Sequence, residues 1–425
     1  MKTNKSPLQV FQSRKMLALL LLGFSSGMPL FLTSRTLQAW LTVEGVDLAS
    51  IGLLSLVALP YSIKFLWAPF LDRYIPPFFG RRRGWLVIAQ IGLTIAIAIM
   101  AFQQPKQSLQ LLAINAVIIA FLSASQDVAF DAYRTDILEP WETGAGAAVG
   151  VLGYRLALLI TGGLALVLAD QISWQGVYLC LAGLMALNVI FSIWSPEPIL
   201  KDQPPTNLVA AIVLPFQDFF QRLGVVKSFL VLIFIILYRI GDALVNNMVT
   251  PFLLQIGFTQ TDIGAIQGGM GLIATIVGTL FGGLILSRVG INRSLWIFGF
   301  LQAFSNFVYF ILAQLGHNYQ FMVVAINVEN LCSGLATAGF VAFMMSLCNQ
   351  RFSATQFALL SSLMAFSRDI LIAPAGFLAK EIGWPGFFLF TLFAALPGLI
   401  LLPWFAPWKR ESVSIDDSVS DRKSP

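Results

Sequence analysis

The chain has 425 residues, of which 57% are hydrophobic and 11% charged, against about 25% charged in a soluble domain. That composition excludes a soluble globular protein and points to one that crosses the membrane many times. The net charge of +5 invites a nucleic-acid reading, which the placement of the charges removes.

Residues 1–15 carry Lys2, Lys5, Arg14 and Lys15 ahead of an apolar run. The run continues for more than 20 residues without a small-residue cleavage site, so it reads as an uncleaved first span. Apolar stretches of about 20 residues mark membrane spans. They predict twelve, over 16–41, 48–71, 85–103, 108–131, 143–169, 174–195, 228–256, 262–286, 294–315, 319–347, 353–379 and 384–407. All are expected to be helical, because an open sheet edge cannot be satisfied in lipid. With the N-terminus in the cytoplasm, the cytoplasmic segments hold 19 of the 26 Lys and Arg, and the opposite loops hold only Lys106 and Lys380. The positive-inside rule then places both termini in the cytoplasm, and the net charge needs no nucleic acid.

Residues 196–227 separate an N-terminal bundle, 16–195, from a C-terminal bundle, 228–407. This linker opens with Pro196, Pro198, Pro204 and Pro205, residues that break helices. Leu208, Ile212, Phe216, Phe219, Phe220 and Leu223 then recur at helical spacing beside Gln217, Asp218, Gln221 and Arg222. The pattern predicts an amphipathic helix lying on the cytoplasmic leaflet, read chiefly as a surface anchor. Residues 408–425 are polar, and disorder is expected there. The two bundles read as repeats. Gly27 and Gly241 differ by 214, Arg155 and Arg368 by 213, and the loops starting at Asp72 and Ser287 by 215. So constant an offset predicts one six-span unit used twice.

Besides Asp262 at the first residue of span 8, ten charges fall within spans: Arg35, Lys64, Asp127, Asp131, Arg155, Arg239, Asp242, Glu329, Arg368 and Asp369. A charge at the bilayer centre costs about 2.5–3.5 kcal/mol on insertion scales. Asp127 and Asp131 lie four apart in SASQDVAFDAYRTD, which puts both on one helical face near the cytoplasmic end of span 4. Lys64 of span 2 lies at a similar level. Arg155 lies about 18 Å into span 5, near mid-membrane. Arg239 and Asp242 of span 7, Glu329 and Asn330 of span 10, and Arg368 and Asp369 of span 11 share that depth, while Arg35 is nearer the outside. Any single pair can be a structural salt bridge. The set as a whole exceeds what packing requires and points to a polar cavity, with arginines for anionic groups and carboxylates for protons. Asp136, beside Arg134 at the surface, is assigned to a network closing the cytoplasmic side.

Other features carry less. Cys180, Cys332 and Cys348 lie in apolar segments without metal spacing, as inert buried thiols do. His317 lies in a loop, which argues against histidine chemistry. Gly162–Gly163, Gly268–Gly269 and Gly282–Gly283 are expected to be close helix contacts. Pro29, Pro60, Pro69 and Pro374 are expected to kink their spans. No Walker sequence is present, so ATP is not the expected energy source, and no cofactor or metal is expected.

Two six-helix halves around a central site is the architecture of the major facilitator superfamily. DRYIPPFFGRRRGW, with Asp72, Arg73, Arg81 and Arg82, resembles that superfamily's cytoplasmic loop signature, stretched by five residues from Ile75 to Phe79. YSIKFLWAPFLDRY from Tyr61, SQDVAFDAYRTD from Ser125, GAGAAVGVLGYRLALLITGGLALVLAD from Gly144, RIGDAL from Arg239, GLIATIVGTLFGG from Gly271 and the long stretch from Glu329 resemble the bacterial muropeptide permease (AmpG-like) family. That resemblance implies an all-α integral membrane protein of the inner membrane, with twelve helices in two halves around a central cavity. It implies import of N-acetylglucosaminyl-1,6-anhydro-N-acetylmuramyl peptides by proton symport for peptidoglycan recycling, with a link to β-lactamase induction. Carried onto this sequence, the family's positions are Lys64, Gln126, Asp127, Asp131, Arg155, Arg239, Asp242, Glu329 and Asn330. Asp369 is a departure, since an apolar residue is usual after that arginine. Arg35, Asn246, Asn247, Gln267, Asn306 and Arg368 add polar groups suited to sugars and peptide carboxylates. A carrier for acetyl-coenzyme A or another anionic metabolite is the alternative. A receptor or membrane enzyme would need a catalytic cluster or a sizeable soluble domain, and neither is visible.

Overall fold

The computed structural model describes residues 13–46, 57–199, 204–205 and 207–408, leaving aside the side chains of Arg35, Gln260, Thr261 and Asp369. Most of the N-terminal basic cluster, part of span 2 and the polar tail therefore lie outside the described residues. Among those described, every regular element is a helix, and ten of the predicted spans are long and apolar enough to cross a bilayer. Span 11, Ser353–Ile372, is a 20-residue helix that Arg368 and Asp369 make more polar. Span 2 is seen from Leu59–Ile63 through a tight turn at Lys64–Leu66 to Ala68–Arg73. Pro60 and Pro69 each sit at the start of a short helix, where a missing N–H leaves no carbonyl unpaired.

Breaks in the other spans have identifiable causes. Span 1 is Arg14–Leu32 followed by Arg35–Val43, with Pro29 in the last turn before the break. Span 11 is broken at Ala373 and Pro374, where proline removes a ladder hydrogen bond, and resumes at Ala375. The chain resumes as Ala375–Phe405 and turns at Gly383, whose φ of 69° suits glycine. The expected loop before span 12 is thus a glycine kink. Span 7 is interrupted without proline, between Val225–Leu237 and Ile240–Gln255, with Arg239 at φ −110° and ψ 12°. Spans 5 and 8 each contain a wide π-helical segment, Leu159–Leu164 and Gly264–Met270, a feature common at functional sites. Gly268 and Gly269 lie in the second of these facing open space, which corrects their expected role as a helix contact. Gly282 and Gly283 do serve as one.

Within the N-terminal half, span 1 packs on span 5, and span 3 on spans 4 and 6. In the C-terminal half, span 8 packs on span 10, span 9 on spans 10 and 12, and span 7 on span 12. The halves meet where spans 2 and 4 pack on span 11 and span 5 packs on spans 8 and 10. Three buried apolar clusters follow from this packing. One is shared by both halves at the end bearing the arginine-rich loops, from Met16, Leu71 and Tyr133 to Phe234, Leu286 and Leu360. The other two lie toward the opposite end, one in each half. The molecule is therefore knitted together at its basic end and divided at its far end.

The linker helix forms over Leu208–Leu223 as expected, its first turn capped by Asn207. It buries Ala211, Pro215 and Phe219. Asp218 accepts from Asn349 Nδ2 at 2.8 Å and Gln356 Nε2 at 2.9 Å, and Arg222 donates to the carbonyl of Leu347. The helix is more than a membrane anchor, because it fastens onto the turn between spans 10 and 11.

Candidate transport cavity

The break in span 7 frees Arg239 from the helical ladder and lets it reach across to span 10. It donates to Thr337 Oγ1 at 2.7 Å and Ser333 Oγ at 3.1 Å, and it pairs with Asp242 through both Nε (3.1 Å) and Nη2. Asp242 also accepts from Asn246 Nδ2 at 2.9 Å and Gln302 Nε2 at 3.0 Å. Asn246 donates to Glu329 Oε1 at 3.1 Å. Four of the predicted residues are thus one network in the C-terminal half. Gln302 completes it from span 9, which supplied no candidate charge. Its only trace in the sequence is a glutamine inside the apolar run IFGFLQAF.

Arg155 faces this network from the other half. A cavity of about 270 Å³ is lined by Arg155, Arg239, Asp242, Asn246, Ser333 and Arg368, among others. Arg155 makes no hydrogen bond or ion pair with any other described residue. The carboxylate nearest it along the cavity wall is that of Asp242, already paired with Arg239. Asn330 is engaged elsewhere, accepting from Thr275 of span 8 at 2.9 Å. Asn306 is fully buried, with its side-chain amide against Gly241. Asn247 lines a separate cavity, and Gln267 accepts from the hydroxyl of Thr250 at 3.5 Å. The side chains of Arg35 and Asp369 are outside the described residues.

The span 4 acids do not form a single pair with Lys64. Asp131 lies between Lys64 Nζ at 3.6 Å and Arg134 Nη2 at 2.7 Å. Asp127 accepts from the hydroxyl of Ser26 in span 1. Gln126 points the other way, into a buried cluster with Ser25, Gln90 and Ser192.

At the basic end a third network joins the halves. Asp72 accepts from the backbone N–H and hydroxyl of Thr355 at 2.8 and 2.7 Å, and it pairs with Arg82 at 2.9 Å and Arg81 at 3.4 Å. Arg82 also pairs with Asp136 at 2.6 Å and donates to Ser353 at 2.8 Å. Asp136 therefore belongs to the closure as expected, through Arg82 rather than through its neighbour Arg134. Arg73 stands apart, stacked on Tyr74. Hydrogen bonds from Arg81, Arg82, Gln350 and Thr355 join the two halves at this end. The described state is closed there.

The model of the Major Facilitator Superfamily matches residues 16–373. The chain belongs to the major facilitator superfamily. Among solved structures it resembles the human organic anion transporter MFSD10 (TETRAN), at TM-score 0.69 and 14% identity over 94% of this chain and 100% of that one. It also resembles the proton:xylose symporter XylE bound to 6-bromo-6-deoxy-D-glucose, at TM-score 0.70 and 12% identity over 94% and 96%. These likenesses establish the fold. A curated relative, the anhydromuropeptide permease of Escherichia coli, is 49% identical over 397 residues, 93% of this chain and 80% of that protein. Within the superfamily, the chain therefore belongs to the anhydromuropeptide permease family and is a multi-pass membrane transporter.

Proposed function

We propose that this protein imports N-acetylglucosaminyl-1,6-anhydro-N-acetylmuramyl peptides from the periplasm to the cytoplasm, by proton symport with alternating access, for peptidoglycan recycling. The observation that carries the substrate is the 49% identity to the anhydromuropeptide permease, sustained over 93% of the chain. The basic end is the cytoplasmic side, so the described state faces the periplasm. The protein sits in the inner membrane with both termini inside. Residues 16–195 and 228–407 are its two moving halves, joined by 196–227.

In this reading Arg155 takes a carboxylate of the peptide, with Arg239, Arg368, Asn246, Asn247 and Glu329 around it. An anion arriving beside Arg239 competes with Asp242 for the guanidinium. That exchange of partners is the link between substrate binding and the carboxylate in this reading. Asp127 and Asp131, with Lys64 at the cytoplasmic side of the cavity, serve proton release. No cofactor takes part, and the energy comes from the proton gradient.

Ligand binding tests the substrate. A ligand that binds only the folded state raises stability by about 2.7 kcal/mol at a hundred times its Kd, so saturating anhydromuropeptide raises the Tm of the purified protein while free N-acetylglucosamine does not. No shift with the muropeptide sinks the assignment. The acid's role is tested separately by Asp127→Asn, which keeps an acceptor for Ser26. Unchanged thermal unfolding with gradient-driven accumulation reduced about fivefold or more is expected. Lowered stability with intact transport would make Asp127 structural.

A further inference from the structure

A second cavity, of about 590 Å³, lies beyond the central one on the side away from the basic end. It is lined by Asn247, Met248, Ile372, Gly376, Phe377 and Lys380, among others. The two adjoin along span 7, where Asn246 lines one and Asn247 the other. Arg368, Ile372, Gly376 and Lys380 recur every four residues and so form one stripe. Ala373 and Pro374 keep right-handed helical dihedrals across the break within span 11. At about 1.5 Å per residue, Lys380 stands roughly 18 Å beyond Arg368. The wall between them is open, since a Cβ added at Gly376 would meet nothing nearer than Met248 Cε at 4.0 Å.

The charge on this stripe is unusual. Lys106 and Lys380 are the two basic residues that the predicted topology leaves on the far side. Lys106 pairs with Glu44 at 3.6 Å. Lys380 is exposed and makes no ion pair with a described residue.

We infer that the outer cavity is a second substrate subsite, in which Lys380 takes a free carboxylate at the far end of an elongated anionic substrate whose near end is held by the central arginines. A four-residue extended peptide reaches at most about 14 Å, which with a lysine side chain at one end and an arginine at the other matches the separation. The inference rests on the anhydromuropeptide reading for the identity of that peptide arm.

The test is a cycle between Lys380→Gln and a substrate whose terminal peptide carboxylate is amidated, read as inhibition of labelled anhydromuropeptide uptake. In the wild type, amidation weakens inhibition about tenfold, the scale of one charged hydrogen bond. In Lys380→Gln the native and amidated compounds inhibit alike, the KM for the native substrate rises about tenfold, and kcat is unchanged. Lys380→Arg restores discrimination. A discrimination that survives Lys380→Gln, or a KM that does not move, overturns the subsite. If the wild type takes up no anhydromuropeptide at all, the parent reading falls and this inference with it, a failure seen before any variant is made.

Discussion

The two seams between the halves are built from repeat-related spans yet hold by different physics. Span 8 is the repeat partner of span 2, and span 5 of span 11, so the 2–11 and 5–8 contacts are topological equivalents. The first is ionic, with Asp72 fully buried between Arg82 and Thr355. The second is apolar and very close: a Cβ at Gly283 would fall 2.4 Å from Ala148 Cβ, and one at Gly144 would fall 2.5 Å from Leu286 Cβ. Opening an ionic seam to water returns hydration to its charges, which offsets most of the lost pairing. Opening an apolar seam exposes surface with no such return. The ionic seam is therefore the one suited to part in each cycle, with the apolar seam as the sliding contact.

Asp72→Asn is the severest way to break this comparison. Removing one partner from a buried ionic set costs about 3–5 kcal/mol, here directed against the closed state. Cys348, half-buried beside the ionic seam, serves as the reporter. Its maleimide labelling is expected to rise at least about tenfold, each 1.4 kcal/mol being tenfold, in a background lacking Cys180 and Cys332. Unchanged labelling would show that the seam does not hold the state closed. Gly283→Val strikes the apolar seam, where overpacking costs about 1–3 kcal/mol. Uptake is expected to fall while Cys348 labelling changes much less than in Asp72→Asn, and equal labelling in the two variants would erase the distinction between seams. Gln350→Ala removes a marginal bond, 3.4 Å from the carbonyl of Asp136. It should shift thermal stability by no more than about 0.5 kcal/mol, and a larger loss would mean that the seam's strength lies outside its ions.

Hydropathy made the spans legible, and proline marks the breaks beside Pro69 and Pro374. The break at Arg239 and the π segments at Leu159–Leu164 and Gly264–Met270 were not legible, since apolar runs read the same whether the ladder is regular or widened. The charged residues of the cavity stood out because charges in spans are rare. Three-residue spacing made the Arg239–Asp242 pair legible, but most partners on other helices were not. Asp131 is shared by Lys64 and Arg134 while Asp127, one turn away, faces Ser26; four-residue spacing puts both on one face but cannot rank neighbours on other helices. Gln302 escaped because an uncharged amide in an apolar span resembles ordinary packing until its contact with Asp242 is seen.

Uptake of labelled anhydromuropeptide into proteoliposomes, with and without an imposed proton gradient, tests the proposed import most directly. Accumulation above the external concentration is expected only when the outside is acidic, together with substrate-dependent entry of protons. Equal uptake in both conditions would contradict proton coupling, and no uptake in either would contradict the substrate.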